Sequence, residues 1–228
     1  MTAWQPEIAE VLGRLPFASN ATLLARSTID ELVVYKPEKG ERPLWDFPSG
    51  TLAAREVLAY DVSSAAGLDV VPETVLAEGP YGVGSVQRFI DEDQSFDPVP
   101  MINASDAALW PIAVFDILAN NADRKVGHIL RDRSSGRLWS IDHGVTFHDE
   151  SKLRTVLWAF AGCELPAAMV AAVERLAGAL PAVLAGAGAI ALSEYETDAL
   201  TRRIERLRAR PVHPDPPMDR PAMPWPLY

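Results

Sequence analysis

The rhythm of apolar and polar positions changes several times along the chain, and each change marks an expected element. Residues Glu7 to Gly13 have the spacing of a short helix, whereas Phe17 to Arg26 and Glu31 to Tyr35 read as two strands joined by a turn at Ser27 to Asp30. Pro37 closes the second strand, and residues 37–50 carry three prolines and two glycines, the composition of an irregular polar loop. Thr51 is placed to cap a helix running through about Ala66 and stopped by Gly67, after which Val70 to Leu76 and Val83 to Ile90 read as further strands.

The second half has a different rhythm. An acidic, proline-containing linker over Asp91 to Asn103 precedes helical spacing at Trp110 to Leu118, with Pro111 in the first turn where its missing N–H costs nothing. Gly127 to Leu130 and Arg137 to Ile141 form a small expected hairpin around a turn at Arg131 to Gly136. Helices are expected at Leu153 to Ala161, Pro166 to Leu180 and Ser193 to Arg208, the last opened by the capping box Ser193-Glu-Tyr-Glu196. From Pro211 onward, seven prolines in 18 residues predict an extended or disordered tail, in which Trp225 is a side chain able to dock. No repeat of solenoid period is visible. Strands with one helix, then helices around a small hairpin, make this an α+β chain.

Composition narrows the function classes. With 228 residues, 48% of them hydrophobic, the chain can bury a sizeable core. Its net charge of -10 argues against a nucleic-acid groove, which relies on clustered Lys and Arg, but leaves room for a mononucleotide pocket needing few cations. One cysteine, Cys163, excludes an internal disulfide framework and reads as a small buried apolar residue. The apolar run Leu176 to Leu192 is diluted by three glycines, a proline and many alanines, so no stable membrane insertion is expected. The N-terminal residues lack a basic region followed by an apolar core, and a cytoplasmic location is expected.

Four residues suggest chemistry in combination. Lys36 ends a strand on the same face as Leu32 and Val34, so its ammonium projects from an apolar row and calls for a carboxylate or phosphate. Glu56 lies on the next helix among the small residues Ala53 and Ala59, which would let it approach that lysine. Asp123 and Asp142 stand at opposite ends of the small hairpin, where their carboxylates can converge. Phosphoryl transfer needs such a pair, one to orient or deprotonate the acceptor hydroxyl and one to hold a metal. Each residue alone is as readily a strand end, a solvated helix position, a turn residue or a cap; the combination is the specific feature. The set His128, Asp142, His143 and His148 offers a rival, a mononuclear metal hydrolase, which would leave Lys36 and Glu56 without a role. Trp45 and Phe47 in the proline-rich loop would either form a lid or pack on the cleft, with burial favoured.

Asn121-Ala-Asp-Arg-Lys125 and Ser140-Ile-Asp-His-Gly144 resemble the catalytic-loop and metal-binding motifs of phosphatidylinositol 3- and 4-kinase-like enzymes and of HipA-like bacterial kinases. Tyr35-Lys-Pro37, Gly40-Glu-Arg-Pro-Leu-Trp-Asp-Phe-Pro48, Asn121-Ala-Asp-Arg-Lys125 and Ile141-Asp-His-Gly144 resemble more closely a family of small bacterial proteins related to those kinases, over nearly the whole chain. The resemblance implies a bilobal atypical protein-kinase-like fold, with an N-lobe over 1–92, a C-lobe over 93–210 and a tail over 211–228, and ATP with Mg or Mn between the lobes. It makes Lys36 the phosphate-binding lysine, Glu56 its helix partner, Asp123 the catalytic aspartate and Asp142 the metal ligand. It puts Ser19, Asn20 and Thr22 in the phosphate-covering loop, although that loop is not glycine-rich, and Gln87, Arg88 and Phe89 at the adenine hinge. Where the related kinases carry a metal-binding asparagine, this chain has His128. Imidazole suits manganese, zinc or iron better than magnesium, so His128 is either no ligand or favours a softer ion. The phosphate acceptor is unspecified, with protein or small molecule favoured over lipid because the acidic chain lacks a basic amphipathic helix. The same departures leave a nucleotide-binding pseudokinase, acting as a regulatory module, as the alternative.

Overall fold

The computed structural model describes residues 4–15 and 21–228, so Ser19 and Asn20, expected in the phosphate-covering loop, lie outside the described residues. Five strands form one antiparallel sheet in the order β1-β2-β3-β5-β4: β1 (Ile8–Arg14), β2 (Leu23–Ser27), β3 (Leu32–Pro37), β4 (Thr74–Gly79) and β5 (Gly82–Arg88). The helix expected at Glu7 to Gly13 is therefore the edge strand β1. Register shifts between Ile8 and Glu10 and between Val11 and Gly13 mark bulges, so Ile8 and Val11, three apart, both pack on the sheet's cluster. That spacing imitates a helical one. In β3, Val33 and Tyr35 are buried with Ala25 and Val86, leaving Lys36 on the opposite face. At Gly84, which pairs with Pro37, a Cβ would run into the Lys36 carbonyl and come within 2.7 Å of the Pro37 Cα. The strand carrying Lys36 is thus held against a neighbour that has no room for a side chain there.

Helix α1 (Leu52–Ala65) follows the loop. Thr51 precedes it as expected, but its hydroxyl donates to the Pro48 carbonyl and caps nothing. Glu41 takes the capping role instead, accepting the N–H of Ala53 at 2.9 Å and of Gly50 at 3.1 Å. Val70 and Val71 are buried in the main core rather than paired in the sheet, and Pro72 lies between them and β4, so the strand expected from Val70 begins at Thr74.

The remaining elements are α2 (Val99–Asn103) within the expected linker, α3 (Trp110–Ala119), the hairpin β6 (Ile129–Arg131) and β7 (Leu138–Ser140), α4 (Ala167–Val183), the short α5 (Ala189–Ala191) and α6 (Glu194–Ala209). Leu153 to Ala161 is not a helix. Leu153, Val156, Leu157 and Phe160 are buried at helical spacing, but the backbone pairs with the segment after α3: Arg154 N–H donates to Asn121 O, Arg124 N–H to Arg154 O and Val156 N–H to Arg124 O. Only Trp158–Phe160 makes a 3₁₀ turn. The tail has little regular structure but is docked, with Thr155 N–H and the Trp158 indole donating to Ala222 O and Val126 N–H to Leu227 O. His213 within it is buried, whereas Trp225 is 88% exposed and is not the docking residue. Trp45 likewise stays in solvent while Phe47 is buried, and Cys163, expected to be buried, is exposed on the turn that follows Phe160.

One large core unites α1, α3, α4 and α6; the sheet keeps a smaller cluster of its own. The run Ala167–Ala191 is long and apolar enough by length and composition to cross a membrane, with a mean hydropathy of 1.6, more than its small residues suggested. In the fold, Val173, Leu176 and Leu180 of α4 belong to the large core.

Candidate functional site

Strand β3, helix α1 and the segment after β7 meet at Lys36. Its Nζ donates to Glu56 Oε1 and lies 3.1 Å from Asp142 Oδ1, so three residues distant in sequence form one charge cluster. Burial by itself would depress the Lys36 ammonium, but Asp142 and Glu56 together outweigh it and hold Lys36 above the usual lysine range. The Lys36 charge in turn holds the Asp142 carboxyl well below the usual carboxylate range, against the effect of burial. Asp142 is therefore ionised at neutral pH, and its side chain is half open to the cleft.

The backbone at Asp142 is left-handed, with φ 64°, and this aims its carboxylate. Gly144 has another purpose: a Cβ there would stand 3.3 Å from the Leu52 Cβ, so the glycine admits close approach to α1. Asp123 sits at the turn beyond α3, where Asn120 is left-handed and ends the helix. The Asn121 side chain accepts the Asp123 N–H at 2.9 Å, and Lys125 Nζ lies 3.5 Å from Asp123 Oδ2. Burial raises the Asp123 carboxyl above its usual value, with Lys125 pulling the other way and Asp142 adding to the rise.

Arg124 joins the two halves, and the sequence motifs had not singled it out. Fully buried, it binds the Asp116 carboxylate through Nε and Nη2 at 2.9–3.1 Å, donates to Ile141 O at 2.9 Å and meets His143 Nε2 at 2.9 Å. The only legible signal was Asp116, one carboxylate in the otherwise apolar α3. Because Arg124 donates to His143 Nε2, the imidazole proton belongs on Nδ1, which faces Glu56 Oε2 at 3.8 Å; neither atom has another hydrogen-bond partner. Burial keeps His143 neutral, well below the usual histidine value. A second buried guanidinium, Arg55, anchors α1 by donating to Thr146 O and to Glu196 Oε1, both at 2.6 Å.

His128 lies beside Asp142, its Nε2 3.4 Å from Oδ2. Burial drives its pKa down to about 4 against the opposing pull of Asp142, so the ring is neutral at pH 7. Its Nδ1 accepts a long 3.5 Å contact from Lys125 N–H, which puts the ring proton on Nε2, toward Asp142. Ligation of a metal through Nε2 would require the other tautomer. Asp142 and Asp123 supply the hard oxygen donors that a divalent ion prefers. Among the described residues, no group of three His, Cys, Asp or Glu side chains is arranged to hold a metal ion. The rival set does not assemble: His143 faces Arg124, and His148 Nε2 bonds the Asp46 carbonyl at 2.8 Å.

Thr22, Glu41, Ala53 and Ser85 line a narrow cavity of about 40 Å³ beside Lys36. Gln87 is buried and donates to Thr74 Oγ1 at 2.8 Å, while Arg88 pairs with Glu73 and Glu31 and stacks on Trp4. The N–H groups of Arg88 and Phe89 already donate to Glu73 O and Leu32 O. The proposed hinge residues therefore carry the sheet, and two of their backbone donors are taken.

No protein-family model matches the chain. Protein Rv2133c of Mycobacterium tuberculosis (strain ATCC 25618 / H37Rv) is 41% identical over 256 residues, spanning 96% of this chain and 91% of that protein. The Helicobacter pylori proinflammatory kinase CtkA superposes with a TM-score of 0.58 at 14% identity, covering 91% of this chain and 93% of its own. The Golgi casein kinase with Mn/ADP bound gives 0.58 at 14% identity over 90% of this chain and 72% of its own. Fam20 of hydra with sugar gives 0.53 at 12% identity over 90% and 83%. At such identities the likeness is one of fold, and the fold is kinase-like.

Proposed function

This chain belongs to the family of Protein Rv2133c, and for it we propose ATP- and divalent-metal-dependent phosphate transfer to an alcohol group in the cleft between the sheet and the helices. The observation that carries this is the contact of Lys36 with both Glu56 and Asp142, the arrangement a kinase uses to place a cation against nucleotide phosphates. Lys36, fixed by Glu56, would neutralise the α and β phosphates. Asp123, with its raised basicity, would orient the acceptor hydroxyl and take its proton as the oxygen attacks the terminal phosphorus and ADP leaves. Asp142, joined by His128 in its other tautomer, would hold the metal, which supplies charge neutralisation on the phosphate oxygens. The phosphatidylinositol 3- and 4-kinase-like subtype rests on the motifs Asn121-Ala-Asp-Arg-Lys125 and Ser140-Ile-Asp-His-Gly144, and Thr22 on the wall beside Lys36 suits the phosphate-covering loop. A protein or small-molecule acceptor fits the acidic chain better than a lipid.

The test is Asp123→Ala. Nucleotide should still bind, seen as a rise in melting temperature with ATP and metal, while ADP release or autophosphorylation falls by about 10²-fold or more. Undiminished turnover in that variant would refute the assignment. A wild type that binds ATP yet releases no ADP with any acceptor would favour a nucleotide-binding regulatory module, a reading the direct Lys36 to Asp142 contact also accommodates.

The metal gives a separate check. With an imidazole where the related kinases carry an asparagine, manganese should support ATP binding at least as well as magnesium. A calorimetric titration in which ATP binds tightly with magnesium and not with manganese would count against His128 as a ligand.

A further inference from the structure

The largest cavity among those described, about 260 Å³, lies away from the cleft between the end of α3, helix α6 and the start of the tail. We propose that this cavity binds a small dianionic phosphate monoester.

Arg203 carries the inference. Its Nε donates to Leu118 O and its Nη1 to His148 O, each at 3.1 Å, and both acceptors are neutral carbonyls. Its Nη2 is buried with no hydrogen-bond partner, and among the described residues no carboxylate forms an ion pair with it. The two fully buried arginines among the described residues each have an acid: Arg55 has Glu196 and Arg124 has Asp116. A buried cation without a direct ion pair is costly: burial and the neighbouring Arg202 and Arg206 pull the Arg203 guanidinium down to about 10, although Glu196 and Asp149 oppose them at longer range. An anion in the cavity would remove that cost.

Two further arginines face the same space. Arg206, three residues along α6, and Arg210, just past its end, line the cavity without an ion pair, while their neighbour Arg208 is taken by Glu174 and Glu205. Placement near the helix C-terminus accounts for surface arginines in general, but not for a buried unpartnered Nη2. The only acid on the wall is Asp215, so three guanidiniums against one carboxylate leave a charge of about +2, the complement of a phosphate monoester dianion.

The rest of the wall suits an organic body. Ile117, Leu153 and Leu207 are apolar. His213, 1% exposed, donates from Nδ1 to Pro214 O at 2.9 Å, leaving a buried, unpartnered Nε2 able to accept from a ligand hydroxyl. Its ring is edge-on to Trp110 and Trp158, so occupancy should be readable in tryptophan fluorescence.

Phenyl phosphate, titrated without metal at pH 8 where it is a dianion, tests the site by calorimetry and fluorescence. Saturable binding is expected, at least tenfold tighter than that of benzoate or inorganic phosphate, which lack the second charge or the body. It should weaken at least tenfold in the surface double variant Arg206→Gln/Arg210→Gln and in Arg203→Met, and persist in Lys36→Met, which disables only the cleft. The double variant keeps the buried arginine, so its result stands even if Arg203→Met fails to fold. Equal binding by wild type and the double variant, loss in Lys36→Met, or benzoate or inorganic phosphate binding as tightly would each overturn the proposal.

Discussion

Arg124 shows how one buried side chain can tie together the two segments of the candidate site. Its guanidinium reaches the Asp116 carboxylate, the Ile141 carbonyl and the His143 ring, so the segment bearing Asp123 and the segment bearing Asp142 share a buried hub. A lysine could offer one point charge but not this planar fork. Arg124→Lys should therefore lower stability by about 3 kcal/mol, because Asp116 keeps its burial and loses its bidentate partner. Phosphate transfer should fall further than stability predicts. Denaturant unfolding and turnover on the same preparation check this; wild-type values in both would dismiss the hub. The aspartates themselves were legible because their spacing around a hairpin is a local pattern. Arg124 was not, since its partners come from α3 and from the turn after β7, and no local pattern encodes that meeting. The aim of Asp142 was not legible either, since it comes from the left-handed φ that Asp142 itself adopts.

At the scale of elements, α1 and α6 are joined through one glutamate. Glu196 uses Oε2 to close the capping box with Ser193 and Oε1 to pair with Arg55, which is fully buried in α1. The two roles differ in size. Ser193→Ala removes a cap and should cost about 1 kcal/mol. Glu196→Ala strands a buried guanidinium and should cost about 3–5 kcal/mol. Chemical denaturation of both variants distinguishes them, and equal losses would mean that the Arg55 pair contributes nothing beyond the cap. The box was readable because it is local, and so was the extent of α4 and α6. The elements misread were those where tertiary pairing overrode a local rhythm: β1, whose bulges mimic helical spacing, and Leu153 to Ala161, whose backbone pairs with Asn121 and Arg124 instead of coiling on itself. The second case matters for the proposed function, because that pairing supports the segment that bears Asp123.

Across the whole molecule, three histidines are held neutral by burial in different regions: His128 and His143 by the cleft, and His213 under the tail. Each has a folded pKa below the value of about 6.5 it would have in the unfolded chain. As pH falls through that value the unfolded state takes up protons that the folded state refuses, so stability is greatest above it and declines on acidification, down to about pH 4 for His128. Asp123, Asp61 and Glu41 act in the opposite sense, since burial raises their folded values and the folded state takes up their protons first. Their unfolded values lie near 4, so the upper part of the window belongs to the histidines. Approach to the isoelectric point, about 4.9, relieves repulsion in a chain of charge -10 without supplying partners for buried rings that become charged. The melting temperature should therefore fall reversibly between pH 7.5 and 5.5 rather than rise toward the isoelectric point. His213→Gln, neutral at every pH, should fall less steeply than wild type. A flat profile in wild type would mean that the buried rings gain protons as easily as free ones, and the docked tail would then lose its part in the acid sensitivity of the fold.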